Sequence, residues 1–87
     1  MRHEIVEARH NVRWLTPVWI RIGYGLPEAI RTPRQALEHL SYRWPAERGM
    51  HYHAAKRSCT AALGDHLPCE QAREAFLRAS LEAQMLD

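Results

Sequence analysis

Six histidines and two cysteines are the side chains of this chain best able to hold a metal or act as nucleophiles. His51 and His53 are separated by one residue, which on a helix turns them about 200° apart. Helical ligand pairs instead stand four residues apart on one face. His39 and His66 have no local partner, and His3 and His10 fall in a polar N-terminal stretch. These histidines read as solvated or rim side chains, and no metal or other cofactor is expected. Cys59 and Cys69 form no CxxC motif and are too few for a disulfide framework. Cys59 falls between Ala55 and Ala62 and reads as a small core residue. Cys69 opens a predicted helix, whose dipole would favour its thiolate, but no second group is placed to use it.

The remaining polar motifs are weaker. Gly23 and Gly25 spell GxG without the third glycine or the following helix of a dinucleotide site. Glu70, Glu74 and Glu82 lie on one predicted helix with Arg78 four residues after Glu74, the spacing of a surface ion pair. Arg73 has two readings, an anion or partner contact, or a structural tie to a loop carbonyl or to a carboxylate such as Glu47. The structural reading is preferred. With no nucleophile–base or paired-carboxylate constellation, the chain is not expected to be an enzyme.

Composition narrows the class further. Eighty-seven residues make one small domain whose limited core oligomerisation could supplement. Twelve basic residues oppose ten acidic ones, and all the basic residues but Lys56 are Arg. They form no run, so nucleic-acid binding through scattered arginines stands as the alternative function. No apolar run approaches the ~20 residues of a membrane span. The first residues lack a signal peptide's apolar region, so a cytoplasmic location is expected, with both cysteines reduced.

These side chains need elements to position them. Residues 1–13 read as an N-terminal arm and residues 14–87 as a single domain. Val18, Ile20 and Ile22 alternate with Trp19 and Arg21, as a strand with one buried face requires. Pro17 suits its start, and Gly23-Tyr24-Gly25-Leu26-Pro27 reads as a turn. A short second strand over residues 28–31 would close a hairpin. Thr32-Pro33-Arg34-Gln35 is a helix start with a capping box and proline at the first helical position. Ala36, Leu37 and Leu40 face inward with Trp44 one turn on, and Pro45 ends that helix. A second helix runs from about Met50 to Leu63, with Tyr52, Ala55, Cys59 and Ala62 on one stripe and Gly64 as its cap. Pro68 opens a third, bearing Ala72, Ala75, Phe76, Ala79 and Ala83. The connector between them is short, which makes them antiparallel neighbours.

Pro17-Val18, Trp44-Pro45, Gly49, Tyr52, Ala55, Cys59 and Leu63-Gly64 occur in that order. Ala72-Arg73, Phe76, Ala79 and Ala83 follow them. This ordered set resembles the domain of unknown function 982 family, small proteins mainly of rhizobia and related bacteria, over roughly residues 14–86. The resemblance implies a fold and a bacterial source, and brings no catalytic or binding residues with it.

The expected architecture is α+β, a short β-hairpin packed against three α-helices, with both hairpin edges exposed. The period of two sends Trp19 outward beside Arg21, so these two form the candidate interaction surface. The expected function is a small binding or regulatory module acting through protein contacts, with a homodimer as one form.

Overall fold

The computed structural model describes residues 13–46 and 48–87. All of the expected N-terminal arm except Arg13, with His3 and His10, and also Glu47, lies outside the described residues. The strands are β1 (Val18–Ile20) and β2 (Glu28–Ile30), and the helices are α1 (Pro33–Tyr42), α2 (Met50–Leu63) and α3 (Cys69–Glu82). This is the expected hairpin against three helices, an α+β fold.

Alternation sets the hairpin's two faces. Val18 and Ile20 are 1% and 0% exposed, and Trp19 between them is 46% exposed. β1 and β2 are antiparallel, pairing Val18 with Ile30, Trp19 with Ala29 and Ile20 with Glu28. Gly23 adopts φ +59°, and the Gly25 amide donates to the Ile22 carbonyl at 3.0 Å, closing the turn.

The hairpin's edges differ from expectation. The C-terminal tail lies along β1, with Leu86 bridging to Ile20. The Arg21 amide donates to the Met85 carbonyl and the Asp87 amide to the Trp19 carbonyl, at 2.8 and 3.0 Å. β1 is therefore flanked on both sides. Beyond β2, Pro27 has no N–H, the Arg31 amide donates to Gln35, and the Arg31 carbonyl accepts from Trp14. Among the described residues, Ala29 alone is left for strand addition on that edge.

Thr32 caps α1 as its sequence predicts, its Oγ1 accepting from the Gln35 amide at 3.0 Å. Gln35 Oε1 reaches back one residue further than in a standard box, to the Arg31 amide at 2.7 Å. α2 and α3 end alike. After α2 the amides of Asp65 and His66 donate to the carbonyls of Ala62 and Ala61, and after α3 those of Gln84 and Met85 donate to Leu81 and Ser80. This is the double bond of the Schellman motif. Gly64 does cap α2, but with φ −85°, and the left-handed residue is Asp65 at +66°, as Gln84 is after α3 at +58°.

The core gathers around Phe76 on α3. Trp14 lies 5.9 Å from its ring and Trp44 5.6 Å, and Trp44 continues to Tyr52 at 6.2 Å. Val18, Ile20, Ile30, Ala36, Leu40, Ala55, Cys59, Ala72, Ala79, Ala83 and Met85 complete it. Four expected inward residues, Leu37, Ala62, Ala75 and Ile22, are only half-buried against this cluster.

Candidate functional site

The outward strand face of the hairpin carries Trp19, paired across the ladder with Ala29. Other exposed apolar side chains lie on neighbouring segments, although Leu86, opposite Ile20, stands on the other face of the sheet from Trp19. Tyr24 and Leu26 project from the turn, Leu86 from the tail on β1, and Leu15 from the segment leading into β1. Arg21, expected to stand beside Trp19 as a contact residue, is engaged within the chain. Its Nε donates to Asp87 Oδ1 at 3.0 Å and its Nη1 to the Gly25 carbonyl at 3.1 Å. Arg21 thus ties the turn and tail together, leaving Trp19 as the prominent member of the pair.

Glu28 joins β2 to α1. Arg43 donates to both of its oxygens, at 3.0 and 2.7 Å, in a bidentate pair. This bonding from Arg43 holds the Glu28 carboxyl below its ordinary value, against a smaller opposing effect of desolvation. His39 completes the group. Its Nδ1 meets the Gln35 carbonyl at 3.0 Å, so Nδ1 donates and Nε2 accepts from Arg43 Nη1 at 2.8 Å. His39 is accordingly a buried, partnered residue and not a rim histidine.

Arg73 donates to the carbonyls of Thr16 and Pro17 at 2.6 and 3.3 Å. It pins the segment before β1 to α3, the loop-carbonyl tie of its structural reading. Cys59 is fully buried, and burial pushes its thiol up to about 12. Cys69 reverses the sequence expectation. Desolvation, then the neighbouring Glu70 charge, raises its pKa. Among the described residues no group of three or more His, Cys, Asp or Glu side chains could hold a metal. No described helix is long and apolar enough to cross a membrane. A shallow groove of about 280 Å³ runs along α1, lined by Arg34, Leu37, Glu38, Ser41, Tyr42 and Leu63. Its lining contains no histidine or cysteine to act as base or nucleophile.

The family model described as protein of unknown function (DUF982) matches residues 16–86. The chain belongs to the DUF982 family. No curated protein matches it, and no solved structure does. The match runs from just before β1 to the tail, so the DUF982 segment contains the whole hairpin, Trp19 and all three helices. Trp14 falls just outside it, although its indole Nε1 donates to the Cys69 carbonyl at 2.8 Å and its ring packs on Phe76.

Four features of the DUF982 domain escaped the sequence reading. Glu82 accepts from the amides of Gly49, His51 and Tyr52 at 3.2, 3.1 and 3.1 Å, so a residue ending α3 caps the start of α2. Its spacing on α3 resembles that of any surface acid, and the role depends on a contact more than thirty residues away. Glu74, expected to pair with Arg78, lies instead 4.0 Å from Arg73. The tail at residues 85–87 is too short to show a period. Only the Glu28–Arg43 charge pair left a trace, as an acid and a base on adjoining predicted elements.

Proposed function

We propose that this DUF982 domain is a protein-interaction module, not an enzyme, and that it self-associates through the outer face of its hairpin. The observation carrying this reading is Trp19, a large aromatic 46% exposed on the outward face of the hairpin, with Tyr24 and Leu26 exposed on the adjoining turn. Exposed aromatic surface of this kind is characteristic of binding hot spots. Strand addition is disfavoured, since the tail occupies one hairpin edge and, among the described residues, the other offers Ala29 alone. Contact is therefore face to face.

Charge favours a second copy as the occupant. Arg21 is neutralised by Asp87, so the arginine next to Trp19 brings no unpaired charge to a contact between two identical faces. A two-fold interface requires such self-complementarity. Sedimentation equilibrium of wild type and Trp19→Ala tests the proposal. A wild-type dimer, with a monomeric variant whose stability is retained within roughly 1 kcal/mol, supports it. A wild-type monomer, or a variant that still dimerises, overturns it. So does a monomeric variant losing roughly 3 kcal/mol or more, which would place Trp19 in a core.

A further inference from the structure

The solvent side of α2 has a character that net charge conceals. Between Gly49 and Gly64 the chain contains no acidic residue, and α2 carries His53, Lys56 and Arg57. With Thr60 these side chains span about 100° of the helix surface, an arc on which all four are exposed or half-buried. Arg48 extends the arc past the N-terminus of α2. Its guanidinium lies over the Tyr52 ring at 5.2 Å, and the Lys56 ammonium lies over the same ring at 5.8 Å. Tyr52 is itself fixed by donating its hydroxyl to the Leu40 carbonyl at 2.9 Å, so it orders both cations.

Among the described residues most carboxylates are committed elsewhere. Glu28 pairs with Arg43, Asp87 with Arg21, Glu70 accepts from the Leu15 amide, and Glu82 is turned into the α2 amides. Among the described residues Arg48, Lys56 and Arg57 pair with no carboxylate; Arg48 donates to the carbonyls of Pro45 and Trp44 at 3.3 and 3.2 Å, which hold it in place without neutralising its charge. Glu38, the acid on the facing side of α1, lines the groove at the opposite, Leu63 end of α2.

We infer that this face of α2 binds the phosphodiester backbone of a nucleic acid, without reading its sequence. Charge complementarity calls for a polyanion, and the surface chemistry selects the kind. The exposed arc of α2 has one large apolar side chain, Met50, at its end, so a protein partner would find no hydrophobic core to bury. A phosphate backbone needs only cations and hydrogen-bond donors. The site is independent of the Trp19 face, which lies on the hairpin.

Fluorescence anisotropy of the full chain with a short labelled duplex provides the test. Three phosphate contacts predict micromolar-range binding at ~50 mM salt, weakening about twentyfold by ~150 mM. Lys56→Glu/Arg57→Glu should weaken binding at least about tenfold, and Lys56→Gln/Arg57→Gln by less, while both melt like wild type. Trp19→Ala should bind as wild type does. Absence of binding at low salt overturns the inference, as does a charge-reversed variant, folded by circular dichroism, that binds undiminished. Equal competition by a polyglutamate peptide would also overturn it, in favour of an acidic protein partner. Should the charge-reversed variant not fold, the glutamine variant decides alone.

Discussion

The Glu82 carboxylate occupies the space that a side chain at Gly49 would fill. A Cβ built on Gly49 would lie 2.5 Å from Glu82 Oε2 and 2.9 Å from its carboxyl carbon. Glycine is needed here for close approach, since φ at this position is an ordinary −91°. Without a cap of its own, α2 borrows one from α3, and the absence of a side chain at Gly49 lets that carboxylate reach three amides.

Gly49→Ala should therefore lower the melting temperature by several degrees, by expelling Glu82 from the α2 terminus. Glu82→Gln should also destabilise, because a neutral amide binds the helix start less strongly than a carboxylate. The two effects should be less than additive, since both act on one contact. Thermal melts of the two single variants and the double variant measure this. Full additivity would show that Gly49→Ala acts through some other contact.

The same carboxylate makes stability pH-dependent. Partial desolvation works to raise the pKa of Glu82, but the hydrogen bonds from the His51, Tyr52 and Gly49 amides prevail and hold it below the ordinary 4.5. Glu28 is lowered as well, chiefly by Arg43. A carboxyl whose folded pKa is depressed contributes stability that is present above its unfolded value and lost as pH falls through the folded one. Urea denaturation should thus give a plateau near neutrality and a decline below about pH 4.5. Glu82→Gln and Glu28→Gln should each make that decline shallower. A decline unchanged in both variants would place the responsible groups elsewhere.

What the sequence made legible is what local pattern controls. Alternation from Val18 to Ile22 gave the strand and its outward Trp19, and Thr32-Pro33 with Gln35 gave the start of α1. The proline and glycine breaks placed α2 and α3. Long-range pairings were not legible, because no local period encodes them. Trp14 belongs to the core through Cys69 and Phe76, more than fifty residues away. His39 met Glu28 only once β2 was laid against α1, although its contact with Arg43 is a local one four residues along the chain. Within the candidate site the position of Trp19 was readable. The role of Arg21 was not, since it depends on a tail that returns to β1.

Trp14 and Trp44 form a natural comparison. Each is 5% exposed and each packs on Phe76, yet Trp14 Nε1 donates to Cys69 whereas buried Trp44 Nε1 has no hydrogen-bond partner among the described residues. Trp14→Phe removes the hydrogen bond to the Cys69 carbonyl, while Trp44→Phe removes an N–H that was costly to bury. Trp14→Phe should accordingly be the more destabilising by about 1–2 kcal/mol in urea denaturation. Equal losses, or a larger one at Trp44, would reveal a partner for that indole, such as an ordered water.

The two cysteines should separate cleanly by reactivity. Thiolates do the reacting, and burial raises Cys59 to about 12, so almost none of it is ionised at neutral pH. Cys69 is half-buried, its Sγ 3.9 Å from the Arg13 carbonyl, and is raised by desolvation and by Glu70. A chromogenic disulfide reagent near pH 7.5 should modify one thiol per native chain, Cys69, more slowly than free cysteine. Cys59 should react only on unfolding. Packing at Cys59 gives the matching stability test, because it is fully buried beside the small-faced helices. Cys59→Leu should destabilise by about 1–3 kcal/mol through overpacking, and Cys59→Ala by less. Rapid modification of Cys59 in the native protein would show that α2 opens readily from α3, and Cys59→Leu should then cost little.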